Sequence, residues 1–161
     1  MPPTPSQRPV PPDHLPTAGP AVEDHGRVVT ASPQAAAWYR RAQRAADPYR
    51  TAEALRLAVT ADPDFALAAA DLAAITGAPG RPPGRRPMNW ERHHIEVVSA
   101  AAAGHLTRAS DLLREHLASI GCDPLAVRIT ARLRGPMARD HLEDLASQLP
   151  GCHATPWPGS P

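Results

Sequence analysis

The sequence has no lysine, one phenylalanine and no long apolar run. A membrane-spanning helix needs about 20 consecutive apolar residues, whereas the longest near-apolar stretch, residues 65–70, has only six. Leu, Ile, Val and Phe together make up 27 of the 161 residues, and the formal net charge is +1. These values exclude a large close-packed enzyme core and a polyelectrolyte made for nucleic acid. We therefore expect no membrane partner, and nucleic acid is disfavoured.

Cysteine is also scarce, with Cys122 and Cys152 the only two in the chain. No Cys-x-x-Cys motif is present, so a structural zinc site of the common thiolate type is not predicted. The beginning of the sequence has no apolar segment of the secretory type. We therefore expect a cytoplasmic protein whose two thiols are reduced.

Proline and alanine are abundant instead, with 21 and 31 residues. Nine of the prolines lie within residues 1–33. Because proline lacks a backbone donor, this density opposes both helix and sheet, and residues 1–31 are predicted to form a disordered Pro-rich tail. A Pro/Gly/Arg linker is predicted at 78–87, and a second disordered tail at 150–161.

Four dipeptides have the form of a helix start, in which an oxygen-bearing side chain caps the helix and proline follows. They are Ser32-Pro33, Asp47-Pro48, Asp62-Pro63 and Asp123-Pro124. The first three are spaced 15 residues apart, which leaves room for about three helical turns and a tight turn each time. The spacing favours short helical hairpins over one long helix.

Apolar residues recur with helical period between the predicted breaks, most clearly within residues 107–120. No stretch alternates with period two for long enough to predict a strand, so the chain is predicted to be all-α. The predicted units are a first helical-repeat segment at 32–77, a second at 88–134, and a possible terminal helix at 135–149.

The turn before the 107–120 helix and the packing face of that helix resemble the tetratricopeptide-repeat family. The matching positions are Gly104, Leu106, Ala109 and Leu113. Residues 54–70 and 91–127 more specifically resemble the group named for tetratricopeptide repeat protein 38, and the resemblance covers about residues 32–133. It implies a short α-solenoid of antiparallel helical hairpins that contacts other proteins, and it implies no catalytic residue. Members of that group are several-fold longer, which is compatible with a truncated repeat protein.

One motif could carry chemistry. Glu91 and His94 are spaced i, i+3 on a helix, as in di-iron carboxylate bundles, and Glu115 and His116 could face them. A metal- or small-ligand-dependent helical-bundle enzyme using these four residues is therefore an alternative function. Such a site needs a second Glu-x-x-His helix, which the chain lacks. We therefore predict no catalytic residue, no cofactor and no metal ligand.

The leading hypothesis is a non-catalytic helical-repeat module or scaffold that binds a protein or peptide. The candidate contact residues are Arg40, Arg44, Trp90, His93, His94 and Glu96. A second alternative is weak nucleic-acid contact through the linker arginines, Arg81, Arg85 and Arg86. Because the predicted core is thin, weak self-association is a further expectation.

Overall fold

The computed structural model describes residues 21–22, 26–80, 82, 84–135 and 157. Nearly all regular secondary structure of the described residues is helical, as predicted. Its helices are α1 (Pro33–Arg44), α2 (Pro48–Ala61), α3 (Ala66–Thr76), α4 (Asn89–Ala102), α5 (Leu106–Ile120) and α6 (Pro124–Arg134). Among these residues, every helix is too short or too polar to cross a bilayer. The possible helix at 135–149 and the tail at 150–161 lie outside the description, apart from Gly135 and Trp157.

Three of the four predicted helix starts are confirmed. The side chains of Ser32, Asp47 and Asp123 each accept a hydrogen bond from the backbone N–H three residues later, at 3.2, 2.8 and 3.2 Å. Each is followed by a proline at the first helical position, where the missing N–H has no intrahelical partner to lose. These local signals set the N-termini of α1, α2 and α6.

The fourth predicted start, at Asp62, is wrong. Asp62 ends α2, and α3 begins only at Ala66. One carboxylate oxygen of Asp62 accepts the Ser32 N–H at 2.7 Å and pairs with Arg85 at 3.0 Å. The other oxygen accepts the Asp64 N–H at 3.2 Å. Asp62 therefore joins three segments of the chain instead of capping a helix of its own.

Residues 26–31 differ from the disordered tail predicted over 1–31. A short antiparallel ladder pairs β1 (Ala21–Val22) with β2 (Val28–Val29). The N–H and hydroxyl of Thr30 then donate to the Glu91 carboxylate, at 2.8 and 2.7 Å. Because a buried carboxylate needs donors, Glu91 holds this segment against the N-terminus of α4. The rest of the predicted tail, apart from β1, lies outside the described residues.

The helices pack around two main apolar clusters. The larger cluster joins α1, α2 and α3, and it includes Leu125 and Ile129 from α6. The smaller one joins α4, α5 and α6, with Leu113 and Leu117 at its centre. Consecutive helices contact each other, and α6 also reaches α3 and α4. Polar side chains from both halves of the chain meet where these helices converge.

Candidate functional site: a buried histidine–aspartate cluster

Five buried polar residues form one hydrogen-bonded group, which we call the His–Asp cluster. They come from α1, α3, α4, α5 and the start of α6, and none has more than 1 % of its surface exposed. The members are Tyr39, Asp71, His94, His116 and Asp123. Burying an ionisable group costs free energy unless the group is paired, and each member of this cluster is hydrogen-bonded to another member.

His94 is at the centre of the cluster, between two carboxylates. Its Nε2 lies 2.6 Å from Asp71 Oδ1, and its Nδ1 lies 2.8 Å from Asp123 Oδ2. A neutral imidazole can donate from only one nitrogen, whereas an imidazolium donates from both. In the metal-free protein, a protonated His94 therefore satisfies both carboxylates at once.

Asp123 links three parts of the site. Its Oδ2 also lies 3.0 Å from His116 Nε2, and its Oδ1 accepts the Ala126 N–H that begins α6. The guanidinium of Arg27 comes within 3.9 Å of Oδ2 from the edge of the cluster. The helix cap therefore fixes the carboxylate that both imidazoles share.

Asp71 is held on the opposite side of His94. The Tyr39 hydroxyl donates to Asp71 Oδ2 at 2.9 Å. The Tyr39 ring in turn packs edge-on against Phe65, with the ring centroids 5.2 Å apart. Packing in the larger apolar cluster thus orients the carboxylate that contacts His94.

The pKa values of the cluster follow from the balance between burial and pairing. Burial alone lowers the pKa of His94, but the charges of Asp71 and Asp123 outweigh it and raise that pKa to about 10. Burial raises the pKa of Asp123, yet His94 and the hydrogen bond from His116 hold it well below its usual value. For Asp71, burial dominates and the pKa is raised.

His116 differs from His94 because it contacts only one carboxylate. Burial lowers the pKa of His116, and the hydrogen bond to Asp123 offsets only part of that effect. Its other ring nitrogen, Nδ1, is buried and has no hydrogen-bond partner within the part of the chain that the structure describes. Among the described residues, His116 therefore has a hydrogen-bonding partner at Nε2 but not at Nδ1.

A second feature is an open groove of about 470 Å³ between α1 and α2. Three arginines line it, together with Glu53 and the apolar side chains of Trp38, Ala54 and Leu57. The arginines are Arg41, Arg44 and Arg50. The Arg41 guanidinium lies 5.5 Å from the centroid of the Trp38 ring. The groove thus combines positive charge with apolar surface.

Comparison with known proteins adds nothing to this geometry. No family model, no curated protein and no solved structure matches the chain. The resemblance to tetratricopeptide repeats therefore stays a prediction.

The structure brings together half of the enzyme constellation considered from the sequence. His94 and His116 meet, with ring centroids 5.9 Å apart. Glu91 instead binds Thr30 and the Met88 N–H, and Glu115 is exposed. The carboxylates that the histidines contact are Asp71 and Asp123, which the sequence analysis did not place at a site.

The six predicted contact residues occupy different environments. His94 cannot contact a partner because it is fully buried, so its assignment to a surface is corrected. Arg44, His93 and Glu96 are exposed, and Arg40 is partly buried. Of these, Arg44 lines the groove. Trp90 is half-buried, donates from Nε1 to the Val28 carbonyl and lies under the Arg27 guanidinium.

The two described arginines of the predicted linker have different environments. Arg85 pairs with Asp62 at 3.0 Å, and Arg86 is exposed. Arg81 lies outside the described residues. The carboxylate of Asp62 therefore offsets the charge of Arg85.

The expectation of reduced thiols is also corrected at Cys122, which is disulfide-bonded. The only other cysteine in the sequence, Cys152, lies outside the described residues. Cys122 immediately precedes Asp123, and its carbonyl accepts a hydrogen bond from Arg27 at 3.3 Å. The disulfide is thus attached next to the His–Asp cluster.

Proposed function

We propose that this chain is a non-catalytic helical-repeat module that binds an acidic segment of a partner protein in the groove between α1 and α2. The observation that carries the proposal is the set of three arginines around the exposed edges of Trp38 and Leu57. Guanidinium groups bind carboxylates through paired hydrogen bonds. The apolar side chains add a surface on which a non-polar residue of the ligand can be buried.

The charged side chains of the groove restrict the kind of peptide that it can bind. The groove carries three arginines and one acidic residue, Glu53. Arg50 also pairs with Asp47 at 3.5 Å, and Arg41 lies against the Trp38 ring. The matching ligand is an extended segment with two acidic residues beside an apolar one.

The arrangement of the helices supports a repeat module. Each helix packs on the next, and α4 also contacts α6, as expected when successive units stack. The contacts of α6 with α3 and with the larger apolar cluster are additional to that pattern. This packing agrees with the resemblance to tetratricopeptide repeats, which implies a scaffold for protein contact. The solenoid itself is part of the proposal.

The test is a screen of the full chain against a random peptide display library. We expect enrichment of peptides that place Asp or Glu beside Leu, Ile or Phe. The double variant Arg41→Glu, Arg44→Glu should weaken binding of an enriched peptide by at least about tenfold, since each lost charged hydrogen bond is worth about 1.5–3 kcal/mol. Arg108→Glu is the matched control, because Arg108 is exposed on α5. Enrichment without acidic residues, or equal loss in the control, contradicts the proposal.

The enzyme alternative keeps one supporting observation, which is the meeting of His94 and His116. Both are buried, so a substrate has no direct access to them in this conformation. The nucleic-acid alternative has less support, because Arg85 already pairs with Asp62. Peptide binding is therefore the function that the geometry supports best.

Cytoplasmic location and weak self-association remain proposals. A disulfide is typical of oxidising compartments and rare in the cytosol, so the bond at Cys122 weighs against a cytoplasmic location.

Light scattering over a range of protein concentrations will measure self-association. A constant monomer mass at all concentrations contradicts it.

A further inference from the structure

We propose that His94, Asp123 and His116 form a binding site for a divalent transition-metal ion of the zinc type. The three side chains come from α4, α5 and the N-terminus of α6, and their donor atoms converge on one point in the interior. Nothing in the sequence pattern predicted this set, because Asp123 was assigned only a capping role.

The geometry of the donor atoms carries the proposal. One ligand atom from each residue lies within 4.8 Å of the others. Asp123 Oδ2 is 2.8 Å from His94 Nδ1 and 3.0 Å from His116 Nε2. In a tetrahedral site, ligand atoms that share one zinc ion at 2.0–2.2 Å are about 3.3–3.6 Å apart. The two distances at Asp123 are thus shorter than in a loaded site by about 0.3–0.8 Å, and metal binding separates the side chains by that amount.

A second and independent observation is the environment of the other His94 nitrogen. Nε2 lies 2.6 Å from Asp71 Oδ1, and Asp71 is itself fixed by Tyr39. Metal-binding histidines commonly donate their other N–H to a carboxylate in this way, which orients the ring and strengthens the ligand. When Nε2–H is committed to Asp71, the Nδ1 lone pair is directed at Asp123 and His116.

The remaining two ligands are held by different numbers of polar contacts. The Asp123 carboxylate is held in place because its Oδ1 accepts the Ala126 N–H. His116 has no polar partner at Nδ1 within the described residues, so among those residues Asp123 is the hydrogen-bonding partner that orients its ring. Cys122 is engaged in a disulfide, which leaves nitrogen and oxygen as the donor atoms. Such a set suits zinc and cobalt.

The charge of Arg27 allows a test that separates a metal site from a purely structural cluster. Its guanidinium lies 3.9 Å from Asp123 Oδ2, and 16 % of its side chain is exposed. A metal ion takes the place of the proton between His94 and Asp123 and adds one positive charge to the site. Arg27 therefore opposes metal binding, and removing its charge should strengthen binding, which a purely structural cluster does not predict.

The experiment uses the untagged full chain, because an affinity tag of histidines binds metal itself. Since the ligands are buried, the chain is unfolded in denaturant and refolded with Zn²⁺ or Co²⁺ before unbound ions are removed on a chelating resin. We expect about one equivalent of metal per chain and a higher Tm than in the metal-free protein. Less than a tenth of an equivalent in the folded protein overturns the proposal.

Matched variants identify the ligands. Asp123→Asn retains a capping oxygen but removes the charge of the carboxylate. This variant and, separately, His116→Gln should each fail to bind the metal ion. Asp71→Asn should weaken binding about 10–100-fold, and Arg27→Gln should tighten it. His93→Gln is the control, because His93 is exposed next to His94.

Two results count against the site whatever the stability of the ligand variants. Loss of metal in His93→Gln assigns the ion to the surface. Unchanged or weaker binding in Arg27→Gln shows that the ion does not sit beside Asp123. Circular dichroism of each metal-free variant separates loss of a ligand from loss of the fold.

Discussion

The imidazole of His94 and the carboxylate of Asp123 are 29 residues apart in the chain but only 2.8 Å apart in the structure. His94 belongs to α4, and Asp123 caps α6. Their contact therefore ties the middle of one helix to the start of another across a buried region. In the metal-free protein it is an ion pair, and its partners determine how stability depends on mutation and pH.

The first prediction concerns the pairing of His94. Asp71→Ala leaves the buried His94 cation with one carboxylate fewer, and removal of one partner from a buried ion pair costs about 3–5 kcal/mol. We expect a loss of this size in the free energy of unfolding, measured by urea titration of the metal-free protein. Glu96→Ala, an exposed site on α4, is the control. A loss below about 1 kcal/mol at Asp71 contradicts the ion pair.

The second prediction is a loss of stability in alkali. The pKa of His94 is about 10 in the folded protein and about 6.5 when unfolded. Folded chains therefore bind more protons between these values, and the free energy of unfolding falls as pH rises from about 6.5 to 10. Urea titrations of the metal-free protein across this range should show the fall. His94→Gln should flatten it, and an unchanged slope in that variant is the contrary outcome.

The third prediction applies to the acid side. The pKa of His116 is lowered by burial, and that of Asp123 is held low by its histidine partners. Both groups take up protons more readily when the chain is unfolded, so each lowers stability as pH drops below its unfolded pKa, which for His116 is about 6.5. Asp71, whose pKa is raised by burial, acts in the opposite direction. His116→Gln should reduce the part of this loss that begins as pH drops below about 6.5. The same titrations check it, and an equal loss in wild type and His116→Gln contradicts the prediction.

The fourth prediction tests the attachment of the N-terminal segment. Glu91 accepts hydrogen bonds from the N–H and hydroxyl of Thr30. Glu91→Ala removes both acceptors, and the Thr30 amide should then exchange with solvent at least about tenfold faster, since one lost hydrogen bond of about 1.4 kcal/mol has that effect. Hydrogen exchange followed by mass spectrometry measures it. Equal protection in wild type and variant contradicts the contact, and Glu96→Ala is again the control.

The fifth prediction concerns the oxidation state of Cys122. Because Cys122 is disulfide-bonded and the chain has two cysteines, the denatured but unreduced protein should show no thiol that reacts with a chromogenic disulfide reagent. Two reactive thiols per chain contradict the disulfide and show that the protein is reduced. Cys122→Ser retains one cysteine and should show one reactive thiol per chain, which controls for access of the reagent.

The helical fold could largely be predicted because its signals are local. A capping side chain followed by proline acts within one helical turn, which is why Ser32, Asp47 and Asp123 were assigned correctly. Asp62 has the same local pattern, but Ser32 and Arg85 recruit its carboxylate from distant parts of the chain. Tertiary contacts of this kind leave no trace in the spacing of residues.

The candidate site was only partly predictable for the same reason. His94 and His116 were singled out because histidine beside glutamate resembles a metal motif. Asp71 is the one acidic residue within the alanine-rich α3, and nothing around it indicates a partner. The sequence analysis chose Glu91 and Glu115 as carboxylates, whereas the packing of α3 and α6 against α4 supplies Asp71 and Asp123.

The most direct test of the proposed function is a charge-reversal binding titration. An enriched acidic peptide and its basic counterpart, with Glu and Asp replaced by Lys, are titrated against wild type and the Arg41→Glu, Arg44→Glu variant. If the groove selects by charge, wild type binds the acidic peptide and the variant prefers the basic one. The same peptide preference in both proteins contradicts the account.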